Sequence, residues 1–212
     1  MKIIVLGTEE QFREFRQKTL PEASETFFLP NFKELKSAPQ ASVIFDLSFE
    51  PTTERIETLT GLNKPVFINS LVNTLKELYL PQHIIRINAW PGFLSRFVVE
   101  AATGYQQQNT MAQATFQLLQ WPYQIVPDTP GMVSARIIAM IINEAYFSLG
   151  EGVSSKQEID TAMKLGTSYP LGPFEWSEKI GIKNIYKLLV KLNSTSNRYT
   201  VAPMLEKEAS AF

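Results

Sequence analysis

Short runs of β-branched and aromatic residues recur through the first half of the chain, each bounded by turn-forming residues. The runs are residues 2–6 (KIIVL), 26–30 (TFFLP), 41–47 (ASVIFDL), 65–70 (PVFINS) and 84–88 (IIRIN). Runs of this length and composition predict buried strands. Between them, Phe12 and Phe15 lie at helical spacing, and residues 52–61 carry a threonine cap and a terminal glycine. This alternation predicts crossover units on a parallel sheet, and therefore an α/β domain.

The hydrophobic spacing becomes helical in the second half. Residues 109–120 predict a helix, and residues 123–128 (YQIVPD) predict a last strand. Every later segment has helical spacing or is a turn. We therefore predict a domain boundary near residue 126, with a sheet domain over residues 1–126 and an all-helical domain over residues 127–212.

The helical domain has clear start and stop signals. Thr129 followed by Pro130 predicts the start of a long helix that ends at Gly150 and Gly152. A second helix is expected to begin at Ser154 or Ser155, with Gln157 or Glu158 completing a capping box, and to stop at Gly166. The stretch SYPLGPFEW predicts a loop. The stretch KNIYKLLVKL predicts a last helix with one apolar face, formed by Ile185, Leu188, Leu189 and Leu192.

The long helix is unusual because residues 132–149 are apolar on nearly every side. Their only polar positions are Ser134, Arg136, Asn143, Glu144 and Ser148. Such a helix needs cover on several sides, and a helical domain of this size has few other helices to supply it. We therefore expect a second copy of the chain to cover the remainder in a two-fold homodimer.

Composition excludes several classes of function. The 212 residues include no cysteine and one histidine, His83, so disulfides, thiolate metal sites and multi-histidine metal sites are not expected. A net charge of −1 provides no general attraction for nucleic acid or an anionic membrane. The first residues, MKIIVLG, are too short for a secretory signal, and the apolar run near residues 137–142 is too short for a membrane span. A cytoplasmic protein without nucleic-acid or membrane partners is the expectation.

An α/β opening raises the hypothesis of a dinucleotide site, which would need G-x-G-x-x-G after the first strand. The loop here is GTEEQF: Gly7 is in the first glycine position, but Glu9 and Phe12 take the other two. The second strand ends at Pro30 and Asn31, without a carboxylate for a ribose hydroxyl. We therefore predict a degenerate Rossmann-like domain that binds no cofactor in the usual way, with Gly7 as its one weak cofactor contact.

Several stretches resemble the 3-hydroxyacyl-CoA dehydrogenases, including the 3-hydroxybutyryl-CoA enzymes. In the helical half they are DTPGMVSARI (128–137), NEA (143–145), EIDTAMKLGTSYPLGPFEW (158–176) and IG (180–181); upstream they are NSLVNTLKEL (69–78), HIIRINAWPG (83–92) and FVVEAATG (97–104). The resemblance implies a reduced Rossmann-like parallel-sheet domain followed by an all-helical C-terminal-type domain, in a shortened and degenerate family member. It also implies dimerisation through the helical domain.

The resemblance also implies where the family's active-site residues fall. Its proton-handling histidine falls on Asn88, the glutamate that orients it on Glu100, its serine on Val72 and its asparagine on Ala135. Only Glu100 keeps the family residue type, and an asparagine side chain does not accept a proton at ordinary pH. Among residues that could substitute, His83 precedes the strand, and we interpret it as a surface or helix-edge histidine.

Three further sets of residues have competing interpretations. Ser70 lies two positions from the family serine and, in an extended backbone, on the opposite face. Lysines could contact acyl-CoA phosphates or form a solvated surface; they are Lys164, Lys179 and Lys183. The tryptophans are expected in the core or an interface; they are Trp90, Trp121 and Trp176.

Two functions remain open at this point. The first is a catalytically inactive relative that binds acyl-CoA or acts in assembly. The second is an active NAD-dependent 3-hydroxyacyl-CoA dehydrogenase of fatty-acid metabolism, which would hold NAD in a nonstandard way and use another base.

Overall fold

A seven-stranded sheet occupies the first unit of the chain. In the computed structural model, which describes residues 1–211, Met1–Met132 form this unit and the chain from Val133 forms a second. The strands are β1 (Lys2–Leu6), β2 (Glu25–Leu29), β3 (Val43–Asp46), β4 (Val66–Asn69), β5 (Ile84–Ile87), β6 (Val99–Thr103) and β7 (Tyr123–Pro127). Their order in the sheet is β2-β1-β3-β4-β5-β6-β7.

All the strands predicted from the hydrophobic runs are present, but the sheet is not wholly parallel. The strand β6 was not predicted, and it pairs antiparallel with β5, whereas the other neighbours are parallel. The segment between β5 and β6 forms turns rather than a helix. A parallel crossover usually needs a dozen or more residues and a helix, so this short connection returns the chain antiparallel.

Helices cover both faces of the sheet. They are α1 (Glu9–Phe15), α2 (Thr53–Thr60) and α3 (Gln106–Leu119), with a 3-10 turn at Phe32–Ser37. Alternate strand residues form two separate cores, because successive side chains point to opposite faces. One core is rich in aromatic rings: Phe45 stacks on Phe67 with centroids 5.0 Å apart and lies 5.4 Å from the ring of Trp121. The other is aliphatic and includes Ile4, Ile44 and Leu59.

The second unit is helical, as predicted. Its helices are α4 (Ser134–Gly150), α5 (Lys156–Thr167), α6 (Pro173–Ile180), α7 (Ile182–Asn193) and α8 (Pro203–Ser210). The predicted apolar face of α7 is buried in full: Ile185, Leu188, Leu189 and Leu192. No helix within residues 1–211 is both long and apolar enough to cross a membrane.

Three predicted helix boundaries were wrong. The helix α4 begins at Ser134 rather than near Thr129, because Gly131 and Met132 have left-handed φ angles of 73° and 47°. The helix α5 continues through Gly166 and ends one residue later, before Ser168, which adopts the left-handed conformation. The segment PFEW is not loop but the start of α6, where Pro173 takes the first helical position.

The division between the units falls after Met132, later than the predicted boundary near residue 126. The intervening segment is hydrogen-bonded to the sheet unit. The Asp128 carboxylate accepts from the Leu75 amide at 3.1 Å, and the Gly131 amide donates to the Leu71 carbonyl at 2.6 Å. These bonds hold residues 128–131 with the sheet rather than with the helices.

The helix α4 is covered largely by its own unit. It packs against α6, α7 and α8, which bury side chains such as Ile138, Ile142 and Tyr146. Its remaining side still carries apolar residues: Ile137 is 53% exposed, and Met140 and Ile141 are half-buried. The apolar surface that a second copy of the chain was expected to bury is thus limited to this one side of α4.

Candidate functional site

The turn between β1 and α1 is closed by hydrogen bonds within the chain. The Gln11 amide donates to Thr8 Oγ1 at 3.2 Å, and the Thr8 amide donates to Gln11 Oε1 at 2.9 Å. The Gln11 Nε2 group also donates to the Leu47 carbonyl, at 2.7 Å. The exposed first turn of α1 carries Glu9 and Glu10. Two amides at this helix start are therefore bound internally, beside two carboxylates that would repel a phosphate.

Two further positions of a dinucleotide site, the third glycine position at Phe12 and the end of the second strand at Asn31, have structural partners. Phe12 stacks on Phe28 of β2 with ring centroids 4.5 Å apart. Beyond β2, Asn31 Oδ1 accepts a hydrogen bond from the Lys33 amide at 3.0 Å and so caps the 3-10 turn. These positions contribute to packing and capping instead of cradling a nucleotide.

A buried carboxylate lies at the end of β3. Asp46 is fully buried and pairs with Arg55, whose Nε donates to Asp46 Oδ2 at 2.8 Å. Burial raises the pKa of Asp46, and the Arg55 guanidinium opposes that shift. Arg55 also lies over the ring of Phe32, 4.6 Å from its centroid. Asp46 is thus satisfied by an arginine and is not presented to a ligand.

Asn88 and Glu100 meet across the antiparallel β5 and β6 strands. The Asn88 amide donates to the Glu100 carbonyl at 3.0 Å, and Asn88 Nδ2 donates to Glu100 Oε2 at 3.4 Å. Asn88 Oδ1 accepts from the Trp90 amide at 3.4 Å, and both members of the pair are buried. This arrangement orients a carboxamide, but a carboxamide has no proton-accepting role at ordinary pH.

The loop that carries Val72 is anchored by a buried cation. Arg86 is fully buried; its Nε donates to the Ser70 carbonyl at 2.6 Å and its Nη1 to Asp128 Oδ1 at 2.6 Å. Burial lowers the pKa of Arg86, and Asp128 opposes that change. The Ser70 hydroxyl donates to the Asn73 carbonyl at 2.9 Å, so it is committed to the loop. Val72 is half-buried and has no polar side-chain atom.

His83 lies at the opposite end of β5 from Asn88, because it precedes the strand that Asn88 follows. Its Nε2 is 3.0 Å from the Leu59 carbonyl, to which it donates in the tautomer that carries the proton on Nε2. The structure therefore brings Asn88 and Glu100 together and leaves His83 apart from them.

The remaining predicted positions lie in the helical unit. Ala135 is fully buried on α4, and its methyl group makes no hydrogen bond. Lys164 Nζ pairs with Glu175 Oε1 at 2.5 Å, which gives it a structural partner, while Lys179 and Lys183 are exposed.

The three tryptophans Trp90, Trp121 and Trp176 are buried in the units that contain them. Within residues 1–211, no group of three histidine, cysteine, aspartate or glutamate side chains is arranged to hold a metal ion.

The turn before α6 is built around a buried carboxylate. Asp160 accepts hydrogen bonds from the Phe174 amide at 2.8 Å and the Glu175 amide at 3.2 Å. A Cβ atom added at Gly172 would lie 2.3 Å from Asp160 Oδ1. The glycine of the PLGPFE stretch is therefore needed so that Asp160 can cap the helix.

Comparisons with known proteins agree with this fold. Residues 131–211 match the family model for the 3-hydroxyacyl-CoA dehydrogenase, C-terminal domain. Over 170 residues the chain is 32% identical to 3-hydroxyadipyl-CoA dehydrogenase of Escherichia coli (strain K12), covering 76% of this chain and 35% of that protein. Over 119 residues it is 33% identical to 3-hydroxybutyryl-CoA dehydrogenase of Clostridioides difficile, covering 54% and 42% respectively. The chain belongs to the 3-hydroxyacyl-CoA dehydrogenase family.

Solved structures of 3-hydroxyacyl-CoA dehydrogenase relatives share the fold over nearly the whole chain. The (S)-3-hydroxybutyryl-CoA dehydrogenase of Ralstonia eutropha aligns with a TM-score of 0.72 and 19% identity, covering 99% of this chain and 93% of that one. At this identity the likeness establishes the fold alone. The two curated relatives above are matched over less than half of their length, 35% and 42%.

Membership of the 3-hydroxyacyl-CoA dehydrogenase family implies NAD, and the residues near Gly7 do not fit its pyrophosphate. In the usual site, glycine backbone approaches the pyrophosphate at a helix start. Here the Gln11 side chain lies against Gly7: a Cβ atom added there would be 2.8 Å from Gln11 Oε1. Sequence reasoning missed Gln11, although Thr8-x-x-Gln11 matches a capping-box signature. Its bond to the distant Leu47 carbonyl had no sequence signal.

Proposed function

We propose that this chain is a catalytically inactive relative of the 3-hydroxyacyl-CoA dehydrogenases that retains an assembly role and takes acyl-CoA as its ligand. The observation that carries the proposal is the buried Asn88–Glu100 pair. Oxidation of a 3-hydroxyl group transfers a hydride to the cofactor and requires a base to take up the hydroxyl proton. Asn88 donates from its amide to Glu100, and it has no basic atom for that proton.

The carbonyl that forms during oxidation would also need polar partners. Val72 and Ala135 stand where the family resemblance expects a serine and an asparagine, and neither can donate a hydrogen bond. The Ser70 hydroxyl is bonded to the Asn73 carbonyl at 2.9 Å. The residues expected to contact the substrate therefore support the proposal, and the Gln11 side chain that lies against Gly7 in the cofactor turn supports it independently.

The competing function is an active NAD-dependent dehydrogenase, which family membership and the retained Glu100 favour. The discriminating experiment incubates the chain with acetoacetyl-CoA and NADH and follows NADH absorbance. We expect no turnover from the unmodified chain, and none from Asn88→His, because in this direction a restored proton donor still has no NADH held beside the substrate to supply the hydride. NADH consumption that Glu100→Gln abolishes would establish the active enzyme and overturn the proposal.

The ligand part of the proposal is tested by thermal shift on the same preparation. A ligand that binds the native state raises the melting temperature by mass action. We expect acetoacetyl-CoA to raise it more than free CoA does, and NADH to leave it unchanged. Equal melting temperatures with and without acetoacetyl-CoA would remove acyl-CoA as the ligand.

We infer that the assembly role is homodimerisation through the helical unit. The support is the uncovered apolar side of α4, where Ile137 is 53% exposed and Met140 and Ile141 are half-buried. A two-fold interface can bury one such patch against its own copy, because the same surface is used twice.

A further inference from the structure

The carboxyl ends of β1 and β3 mark the point where the strand order reverses. The chain places β2 on one side of β1 and β3 on the other. In open α/β sheets, ligands bind outside the carboxyl ends of the strands at such a point. The groups found there decide whether the crevice is open.

We infer that Gln11 is a built-in occupant of this crevice, and that Gly7 is glycine to admit the Gln11 amide rather than a phosphate. The Gln11 carboxamide bridges the two strand ends, accepting from the Thr8 amide at 2.9 Å and donating to the Leu47 carbonyl at 2.7 Å. The inference deepens the cofactor side of the proposed function and does not depend on Asn88.

The bridge continues along the same edge of the sheet. The Leu47 carbonyl also accepts from Asn69 Nδ2 at 3.0 Å. Asn69 in turn exchanges hydrogen bonds with the Ala89 backbone, at 3.2 Å to its carbonyl and 3.1 Å from its amide. Side-chain amides of Gln11 and Asn69 thus link the ends of β1, β3, β4 and β5, so backbone groups that a ligand could bind are already paired.

The space around Gly7 is taken by the same side chain. A Cβ atom there would lie 2.8 Å from Gln11 Oε1, but 3.3 Å from Leu47 Cβ and 3.4 Å from Gln11 Cβ. Only the first distance is a clash. Since Gln11 Oε1 is the free end of a side chain, it can move away, but only by losing its hydrogen bonds to Thr8 and Leu47. Replacing Gly7 by alanine should therefore lower the stability of the fold for the same reason as removing the Gln11 carboxamide, because both changes break the same hydrogen bonds.

A double-mutant cycle tests this directly on the full chain. We expect Gln11→Ala and Gly7→Ala each to lower the melting temperature by about 3 to 6 °C, because each removes the two hydrogen bonds that the Gln11 side chain makes to the Thr8 amide and the Leu47 carbonyl. Combining them should lower it little further. Two controls match the changes: Gln17→Ala removes an exposed glutamine near the end of α1, and Gly61→Ala adds a Cβ with no contact closer than 3.6 Å.

Hydrogen exchange supplies a second measurement if a variant is too unstable to melt cleanly. The Thr8 amide should be protected in the unmodified chain and exchange rapidly in both single variants. Additive melting losses, or an effect of Gln11→Ala no larger than that of Gln17→Ala, would overturn the inference. Either result would leave the proposed loss of catalysis standing, because that part of the proposal depends on Asn88 and is overturned by NADH consumption.

Discussion

In the helical unit, Asp160 caps α6 through the amides of Phe174 and Glu175, and it lies within the residues that match the family model. In the sheet unit, Asn88 Nδ2 donates to the Glu100 carboxylate at 3.4 Å, but a carboxamide does not take up a proton as the histidine expected there from the family resemblance would. Both sites are ordered and buried. They differ in that one holds a fold together and the other would have to move a proton.

Asn143 extends the same comparison. On α4 it donates to the Thr200 carbonyl at 2.8 Å and accepts from the Ala202 amide at 2.9 Å, fixing the segment before α8. The conspicuous NEA and PLGPFE stretches therefore report hydrogen-bonded packing. A family resemblance carried by such residues establishes ancestry and fold, whereas activity has to be argued from the site.

The largest effect is expected from Gly172→Ala, which tests whether the PLGPFE stretch has a structural role. Its Cβ would lie 2.3 Å from Asp160 Oδ1 and 2.4 Å from Asp160 Cβ. Relieving that overlap must displace the cap of α6, at a cost of about 3 kcal/mol in the free energy of unfolding. Urea unfolding followed by circular dichroism at equilibrium measures the loss.

Gly166→Ala is the matched control in the same stretch. A Cβ at Gly166 meets nothing within 4 Å, and the residue lies in α5. Alanine there should be neutral or stabilise by up to about 1 kcal/mol, since it favours helix more than glycine does. If both variants unfolded at the same urea concentration, the structural account of the stretch would be wrong.

Much of the fold follows from the sequence, because strand and helix periods are local signals. The buried runs gave five strands and a sixth at β7, but β6 was missed. Its sequence, VEAAT, has a glutamate and two alanines where strands favour β-branched residues. Its place is set by pairing with β5 and β7, which is tertiary information.

The helix start at Thr129 failed for a similar reason. A threonine before a proline is a good local cap, but the turn that follows is fixed by the Gly131 amide bonding to the Leu71 carbonyl. At the site, the pairing of Asn88 with Glu100 was available only from the family resemblance. The bridge from Gln11 to Leu47 spans 36 residues of sequence, and periodicity does not reveal such contacts.

An intermediate effect is expected at the apolar side of α4. If the helical unit keeps its structural role while the sheet unit lacks the catalytic residues, this side should still form the homodimer interface. Ile137→Glu places a charge on a side chain that is already 53% exposed, so the fold should tolerate it. A dimer that buries Ile137 would be weakened, because an unpaired charge in an apolar contact is costly. Analytical ultracentrifugation over a range of concentrations should show a dimer for the unmodified chain and a shift toward monomer for the variant.

Leu165→Glu provides the control for that shift, since Leu165 is 82% exposed on α5. It should leave the dimer intact. A monomer for the unmodified chain at every concentration, or equal dissociation by both variants, would reject α4 as the interface.

The smallest effect is expected at the cap of α5, where the helical unit's fold depends on an exposed carboxylate. The Ser154 and Ser155 hydroxyls, with the Ser155 amide, lower the pKa of Glu158 from 4.5 to about 2. A carboxyl whose pKa is depressed by folding stabilises the native state above its unfolded pKa and loses that contribution as pH falls. Glu158→Ala should therefore reduce the free energy of unfolding at about pH 7, and the difference from the unmodified chain should shrink steadily below about pH 4.5.

Gln157→Ala is the control, because Gln157 is exposed, uncharged and next to Glu158 in the chain. Its effect should be the same at every pH. Urea titrations of the three proteins between about pH 7 and about pH 3 separate the two behaviours, since only a titrating cap gives a pH-dependent difference. A Glu158→Ala difference that stayed constant over this range would mean that the serine hydroxyls do not bind the carboxylate preferentially in its ionised form.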